Sequence, residues 1–407
     1  MNISFNLKTS IKIPSSNLKE IVKAFFQIQS TILITIFQTV LCEFAELYMK
    51  QKKKIFTCER CKNNIDFIWK THQAKKTSIL TLFGKIFLNQ LQIQCKKCGK
   101  KMFITRTLLG IERQKQIPFQ TIRQLGLMGA LASYRVCEKI CNLFGWQLNK
   151  MTVWRSVQRL GKSLNFTPNL NETNVFEADG TGIPIQGIKK RGKELKILVQ
   201  RKKTGGVMIA GASIGNYDSQ WDKVFKPLIV ILKKFKQIFL VTDGDTSILK
   251  SVKNKVKVIF QRCLWHIPHQ LKYFLWKDGV KRKGSDWNYI LTKILNICAI
   301  RKTSEKESKA SIDQMIKEKE KELDKLIEFS FSKNLKHSTA YLQNAKHDMF
   351  TGLRNRLEGK TTSLVERVMR TVNLRANMGK WSPVGALNAI KIRLAYYYNG
   401  FDVSWND

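Results

Sequence analysis

The sequence is short of acid. Thirty Asp and Glu stand against 72 Lys and Arg in 407 residues, a net charge of +42. Self-repulsion on that scale opposes compaction unless a polyanion is bound. Nucleic acid is therefore the expected partner, with an anionic membrane surface as the other option. No cleavable signal peptide is apparent in the residues, and the nine cysteines are an odd number. Both argue against a secreted disulfide framework and for a reducing compartment. No repeat of fixed period is visible, so a repeat array is not expected. Long uncharged runs are scarce. One of 19 residues, Ala24 to Cys42, approaches membrane-spanning length. It carries Gln27, Gln29 and Gln38, and Glu43 and Glu46 follow at once. It reads as an amphipathic or buried helix rather than a span.

What is present divides into six segments. Residues 1–50 read as a polar lead and one long helix. Residues 51–105 hold two C-x-x-C pairs, Cys58 with Cys61 and Cys95 with Cys98, separated by 33 residues that contain alternating strand-like runs around Gly84. Each pair lets two sulfurs face one ion, and four thiolates close a tetrahedral shell around a structural Zn²⁺. Knuckles bracketing a hairpin make the arrangement a zinc ribbon. Residues 106–168 read as three helices, beginning at Phe119, Tyr134 and Asn149 or Thr152. A helix, a turn and a second helix bearing Arg155, Arg159 and Lys162 fit a helix-turn-helix that places cations on DNA phosphate or in a groove. A plain helical bundle is the alternative. Cys137 and Cys141, four apart on a helix, read as core.

Residues 169–265 change texture. "NVFEADGTGIPIQ" holds a short strand ending at Asp179-Gly180, and "LKILVQRKK" and "GGVMIAGASIG" are two more strands. "SQWDKVFKPLIVILKKF" reads as one helix, "QIFLVTDGD" as a strand, "TSILKSVKN" as a short helix and "VKVIFQRC" as a last strand. Three strands followed by alternating helix and strand predict a mixed α/β sheet. Residues 266–354 are charged and helical with no strand signal. Residues 355–407 begin with "TTSLVERVMR", a capped helix.

Three carboxylates carry the chemistry in this reading. Asp179 and Asp243 each end a strand-like run before a glycine. Two such strands side by side would place two carboxylates together, a repulsion that Mg²⁺ relieves. Taken singly, Asp-Gly is ordinary turn chemistry. Glu177, two residues before Asp179 on the same strand face, is a reserve ligand, and Asp245 reads as a helix N-cap. Glu366 is the third candidate, with Glu358 as fallback. Ser363-Leu-Val-Glu366 also fits a capping box. Arg367, Arg370 and Arg375 on the same helix suit a phosphodiester site. "QRCLWH" adds Cys263 and His266 at ligand spacing without an evident second pair; His269 and Cys298 are the nearby options. Trp265 between them is either core or a platform for an unpaired base.

The order of zinc ribbon, helical region, "EADGT", "VTDGD", "QRCLWH", helical stretch and "TTSLVER…NLRANMGKW" resembles the DDE transposases of bacterial and archaeal insertion sequences, in the Mutator-like branch. The resemblance runs from about residue 55 to the end. It implies a multidomain α/β chain with an RNase H-like core in two parts, residues 169–265 and 355–407, interrupted by an all-α insertion at 266–354. The first Asp would lie on the first strand and the second on the fourth. The triad would be Asp179, Asp243 and Glu366, separated by 64 and 123 residues. Cys263 and His266 would be structural, holding the last strand to the insertion. Two Mg²⁺ or Mn²⁺ ions, one structural Zn²⁺, double-stranded DNA as both element end and target, a dimer or larger assembly, and a prokaryotic cytoplasm with the chain on the nucleoid complete the expectation. No small-molecule substrate and no membrane belong to it. A DNA-binding regulator or decayed copy without catalysis, and a metal-dependent nuclease such as a junction resolvase, are the rival classes.

Overall fold

The computed structural model describes residues 57–62, 67–70, 76–81, 84–90, 92–104, 117–144, 146, 148–188, 192–217, 219–300, 308–357 and 362–401, with scattered positions between 17 and 43. Those scattered positions are helical from Leu18 onward. Among the described residues no helix is long and apolar enough to cross a membrane. The chain divides into two compact units, one reaching Lys162 and one running from Ser163 to Asp402.

The first unit contains β1 (Phe67–Lys70), β2 (Lys76–Thr81), β3 (Gly84–Asn89), β4 (Gln92–Cys95) and β5 (Lys101–Phe103). β4 pairs antiparallel with both β1 and β5, and β2 with β3 forms a separate hairpin. Alternation drives the hairpin: Thr77, Ile79 and Thr81 are buried on one face, with Ile86 opposite Ile79. Three helices follow, α1 (Phe119–Leu131), α2 (Tyr134–Leu143) and α3 (Lys150–Ser163). Ser133 breaks the first from the second by accepting the Val136 amide at 3.3 Å. Asn149, rather than Thr152, starts the third, accepting the Met151 amide at 2.8 Å. Leu125, Cys137, Cys141, Leu148 and Val153 form their core. Gly126 and Gly129 let α1 approach α3, since a Cβ at either would strike Leu160 or Val157. Burial pushes the Cys141 thiol up to about 11, in keeping with an inert core cysteine.

The second unit is built on β6 (Val175–Ile183), β7 (Lys193–Arg201), β8 (Val207–Gly215), β9 (Ile238–Thr242) and β10 (Val258–Arg262), in the sheet order β10-β9-β6-β7-β8. β6–β7 and β7–β8 are antiparallel; β6–β9 and β9–β10 are parallel. Phe176, Ala178, Leu198 and Leu240 pack against Trp221, Phe225 and Leu228 on one face. The expected single helix over 219–235 is broken into α4 (Asp222–Phe225), a 3₁₀ turn Lys226–Leu228, and α5 (Ile229–Leu232). Pro227 is the cause, because it has no amide to donate and its ring meets the preceding turn. α6 (Thr246–Val252) begins at Asp245, whose carboxylate accepts the Ser247 amide at 2.8 Å, as the sequence predicts.

Between Arg262 and the return to the sheet lie α7 (His266–Lys277), α8 (Ser285–Cys298), α9 (Lys309–Ser332), α10 (Lys336–Lys346) and α11 (Thr351–Arg354). They enclose a core of their own around Leu271, Leu275, Ile290, Ile294, Leu323 and Phe350. α12 (Ser363–Ala376) and α13 (Pro383–Tyr398) close the unit.

Candidate active site

The four cysteines of the first unit converge. Among the described residues they are the one group of three or more His, Cys, Asp or Glu whose ligand atoms all lie within 4.8 Å of one another. Cys58 Sγ lies 3.5 Å from Cys98 Sγ, and Cys61 Sγ 3.5 Å from Cys95 Sγ. Tetrahedral Zn²⁺ with bonds of about 2.3 Å holds sulfurs roughly 3.8 Å apart, so the donor set and spacing fit zinc. The two knuckles are built alike. The Lys62 amide donates to the Cys58 carbonyl and the Gly99 amide to the Cys95 carbonyl, at 3.0 and 2.9 Å. The residue after each pair is left-handed, Lys62 at φ 58° and Gly99 at φ 69°. Amides of Cys61 and Arg60 bring the Cys58 thiol below its ordinary value against the opposition of burial. At Cys98 the Lys100 amide pulls the other way, yet burial and the neighbouring sulfurs push that thiol up to about 12.

The acids of the second unit gather on the side of the sheet opposite Phe176 and Ala178, near enough for Asp243 and Glu366 to act on the Asp179 carboxyl. Asp179 is not at a strand end: β6 continues to Ile183, paired with β7 throughout. The β9 side explains the difference. Its pairing with β6 stops at Glu177 opposite Val241, so Asp179 lies level with Asp243, just beyond the end of β9. Glu366 arrives from the first turn of α12. Its carboxylate lies 3.5 Å from His266 Nε2. Burial raises the Asp179 carboxyl to about 7; the Gly180 amide opposes this, while Asp243 and Glu366 raise it further and His266 lowers it. Burial disfavours charge on His266, but Cys263, Asp179 and Asp243 together raise it to about 9. An imidazolium amid carboxylates is the resulting balance. The three carboxylates do not close to the 4.8 Å spacing of the thiols. Glu358 lies outside the described residues.

Two expectations are corrected here. Glu177 is not free to be a reserve ligand. It is fully buried, pairs with Arg201 at 3.0 Å, and accepts the amides of Leu364 at 3.0 Å and Val365 at 3.1 Å. Those amides are the orphan donors of α12, so Glu177 satisfies the start of the helix that carries Glu366. The capping box at Ser363 is thereby displaced: Thr362 is the cap residue, and Glu366 turns toward His266.

Cys263 and His266 also hold a different partner from the one expected. The last strand is tied to the helical insertion by Gln261, which donates to the Met349 carbonyl at 2.7 Å, and by Arg262, which pairs with Asp348 at 2.8 and 3.1 Å. Cys263 Sγ instead accepts from the amide and hydroxyl of Thr362, both at 3.3 Å. His266 Nδ1 lies 3.4 Å from the same hydroxyl. Burial opposes ionisation of Cys263, but His266 and Thr362 outweigh it and lower the thiol. The pair belongs to no group of three or more residues at ligand spacing among the described residues. It locks the root of α12 to the end of β10.

Arg367 and Arg370 are exposed on α12, whereas Arg375 is buried over the Trp381 ring at 4.4 Å. Arg155 and Lys162 are exposed on α3 and Arg159 is half-buried. Trp265 is 52% exposed, so its core reading does not hold. Sequence reasoning passed over Gln270, which reaches Asp243 Oδ2 at 3.5 Å and is held by the Tyr341 hydroxyl at 3.0 Å. Its one local signal is its place four residues after His266. No protein-family model matches the chain, and no curated protein matches it significantly.

Proposed function

We propose that the chain is a DNA transposase that cuts the ends of a mobile element and joins them to target DNA. The observation that carries this reading is that Asp179 lies level with Asp243 across adjacent strands, while Glu177 on the same sheet face holds the start of the helix that bears Glu366, so three carboxylates far apart in the chain are brought to one region. A mixed sheet with Asp179 on its first strand and Asp243 at the end of its fourth, followed by a helical insertion with its own core, is what an RNase H-like transposase core requires.

The donor set is three carboxylates, hard oxygens that suit Mg²⁺ or Mn²⁺, and the raised carboxyl of Asp179 marks a buried site where positive charge is favoured. Two bound ions would activate the attacking water or 3′-hydroxyl and stabilise the leaving oxygen. Asp179, Asp243 and Glu366 would hold them. Glu177, Cys263 and His266 hold the helix that carries Glu366, and so fix the third carboxylate against the first two. Arg367 and Arg370 face outward beside the site, where phosphate would pass. The four-cysteine unit would be a zinc ribbon, and α2 and α3 a helix-turn-helix with Arg155, Arg159 and Lys162 on DNA. The +42 charge would supply most of the salt-dependent affinity. Two ends cut together call for a dimer or larger assembly, acting on the nucleoid in a prokaryotic cytoplasm.

The test is a Mg²⁺-dependent cleavage and joining assay on duplex carrying the DNA that flanks the gene, with wild type beside Asp243→Asn. Cleavage and joining by wild type alone is the expected result. Activity in the variant would overturn the reading. Binding without cleavage in both would leave a DNA-binding regulator or a decayed copy.

A further inference from the structure

The helix α7 carries a feature that neither its core nor the acidic site uses. Trp265, His269, Tyr273 and Trp276 follow at spacings of four, four and three residues, which place them on one helical face. The three large rings are exposed, Trp265 by 52%, Tyr273 by 56% and Trp276 by 67%. The opposite face, through Ile267, Leu271 and Leu275, fills the core of the helical insertion. Folding therefore accounts for one side of this helix and not for the other. Trp276 and Tyr273 in particular leave large apolar surfaces in water, where a chain with no ligand for them would gain by a polar substitution.

The rings are organised rather than scattered. The Trp265 and His269 rings lie 4.2 Å apart at 36°, and the Tyr273 and Trp276 rings 5.9 Å apart at 34°. The stripe is about 16 Å long at 1.5 Å per residue. Its first residues adjoin the acids: His266 contacts Glu366, and the charge of Glu366 is felt at His269. Lys272 and Lys277 are exposed beside the rings, and the basic turn of Lys281, Arg282 and Lys283 follows. The nearby Asp278 is spent on the amides of His337 and Ser338 at 2.9 and 2.8 Å.

We propose that this stripe is a stacking platform for an unpaired DNA strand, taking three or four nucleotides outward from the acidic site. Aromatic faces with flanking cations fit that occupant specifically. Bases expose their π-faces only when unpaired, and the phosphates between them need positive charge. A duplex hides its base faces, so it would meet the lysines but not the rings. The inference deepens the reading of the acidic site as a DNA-cutting centre, because strands opened at a cut end would be held there.

Fluorescence anisotropy of labelled twelve-nucleotide oligo-dT and of a labelled twenty-base-pair duplex, with the full chain at 0.15 M salt, tests it. Tyr273→Ala and Trp276→Ala should each weaken binding of the single strand by roughly 5- to 100-fold, as loss of one stacked base does. Duplex binding should change by less than about twofold, and Trp276→Phe should retain most of the single-strand affinity. Phe331→Ala, which removes another exposed ring on α9, should change nothing. Unchanged single-strand binding in both alanine variants overturns the proposal, as does an equal loss for duplex and single strand. If those variants instead shift the chain from dimer to monomer on a sizing column without affecting oligo-dT, the stripe is a subunit contact and the proposal fails. The platform and the catalytic reading separate cleanly. Asp243→Asn should bind oligo-dT as wild type does. Selective stacking losses in a chain that never cleaves keep the platform and remove the transposase.

Discussion

Glu177 accepts the backbone amide of Leu364, 187 residues further along the chain, at 3.0 Å. One buried carboxylate thus joins the strand of Asp179 to the helix of Glu366. Glu177→Ala would remove the buried acceptor shared by the Arg201 guanidinium and two helix amides, a loss of about 3–5 kcal/mol in urea unfolding. Glu177→Gln keeps an acceptor and should lose about 1–3 kcal/mol. Weakened Mg²⁺ binding by calorimetry in Glu177→Gln with unchanged stability would instead mark it as a metal ligand.

Metal content separates the two cysteine motifs. Purified wild type should carry one zinc per chain by elemental analysis. Cys61→Ser or Cys98→Ser should lose it and expose the 57–104 region to protease, since a structural site and its fold form together. Cys263→Ala should keep the zinc. It should be less stable by about 1–3 kcal/mol, because it removes the acceptor of the buried Thr362 amide.

The raised carboxyl of Asp179 gives stability a pH dependence with a defined sign. Its folded value of about 7 lies above the ordinary 3.8, so folding favours the protonated form. The stability it contributes is full below about pH 4 and is lost as pH rises to about 7, by at most about 4 kcal/mol. His266, raised from 6.5 to about 9, acts in the same direction at higher pH. Urea midpoints in Mg²⁺-free buffer should fall from pH 5 to pH 7, and Asp179→Asn should flatten that part of the curve. A midpoint that rises over this range in wild type would contradict the burial of the acid.

Gly244 sits at φ +102°, where a Cβ would crowd the Arg262 guanidinium, itself held by Asp348. Gly244→Ala should destabilise by about 1–3 kcal/mol and impair cleavage through Asp243. Gly205→Ala, at φ +81° with nothing within 4 Å, should show only the backbone share of that loss. Equal losses at both positions would mean that Arg262 yields freely.

The sequence by itself determined what depends on neighbours along the chain. The paired C-x-x-C motifs and the Asp245 cap are set within a few residues, and so are most strand and helix positions in the second unit, whereas the choice of Asn149 over Thr152 as a helix start came from the structure. Pro227 shows where even that reading slips, since a helical pattern was followed across a residue that cannot continue it. Only the tertiary structure decided the long-range relationships. Asp179 lies mid-strand, yet its carboxylate stands level with Asp243 because the neighbouring strand ends first. Glu177 looks like a ligand by its strand face and is a cap by its partners. Cys263 and His266 have ligand spacing and serve Thr362, while Gln261 and Arg262 do the work expected of them. Local periodicity says which face a side chain occupies. It does not say what the other wall of that face will be, because that wall arrives from residues roughly sixty to two hundred positions away.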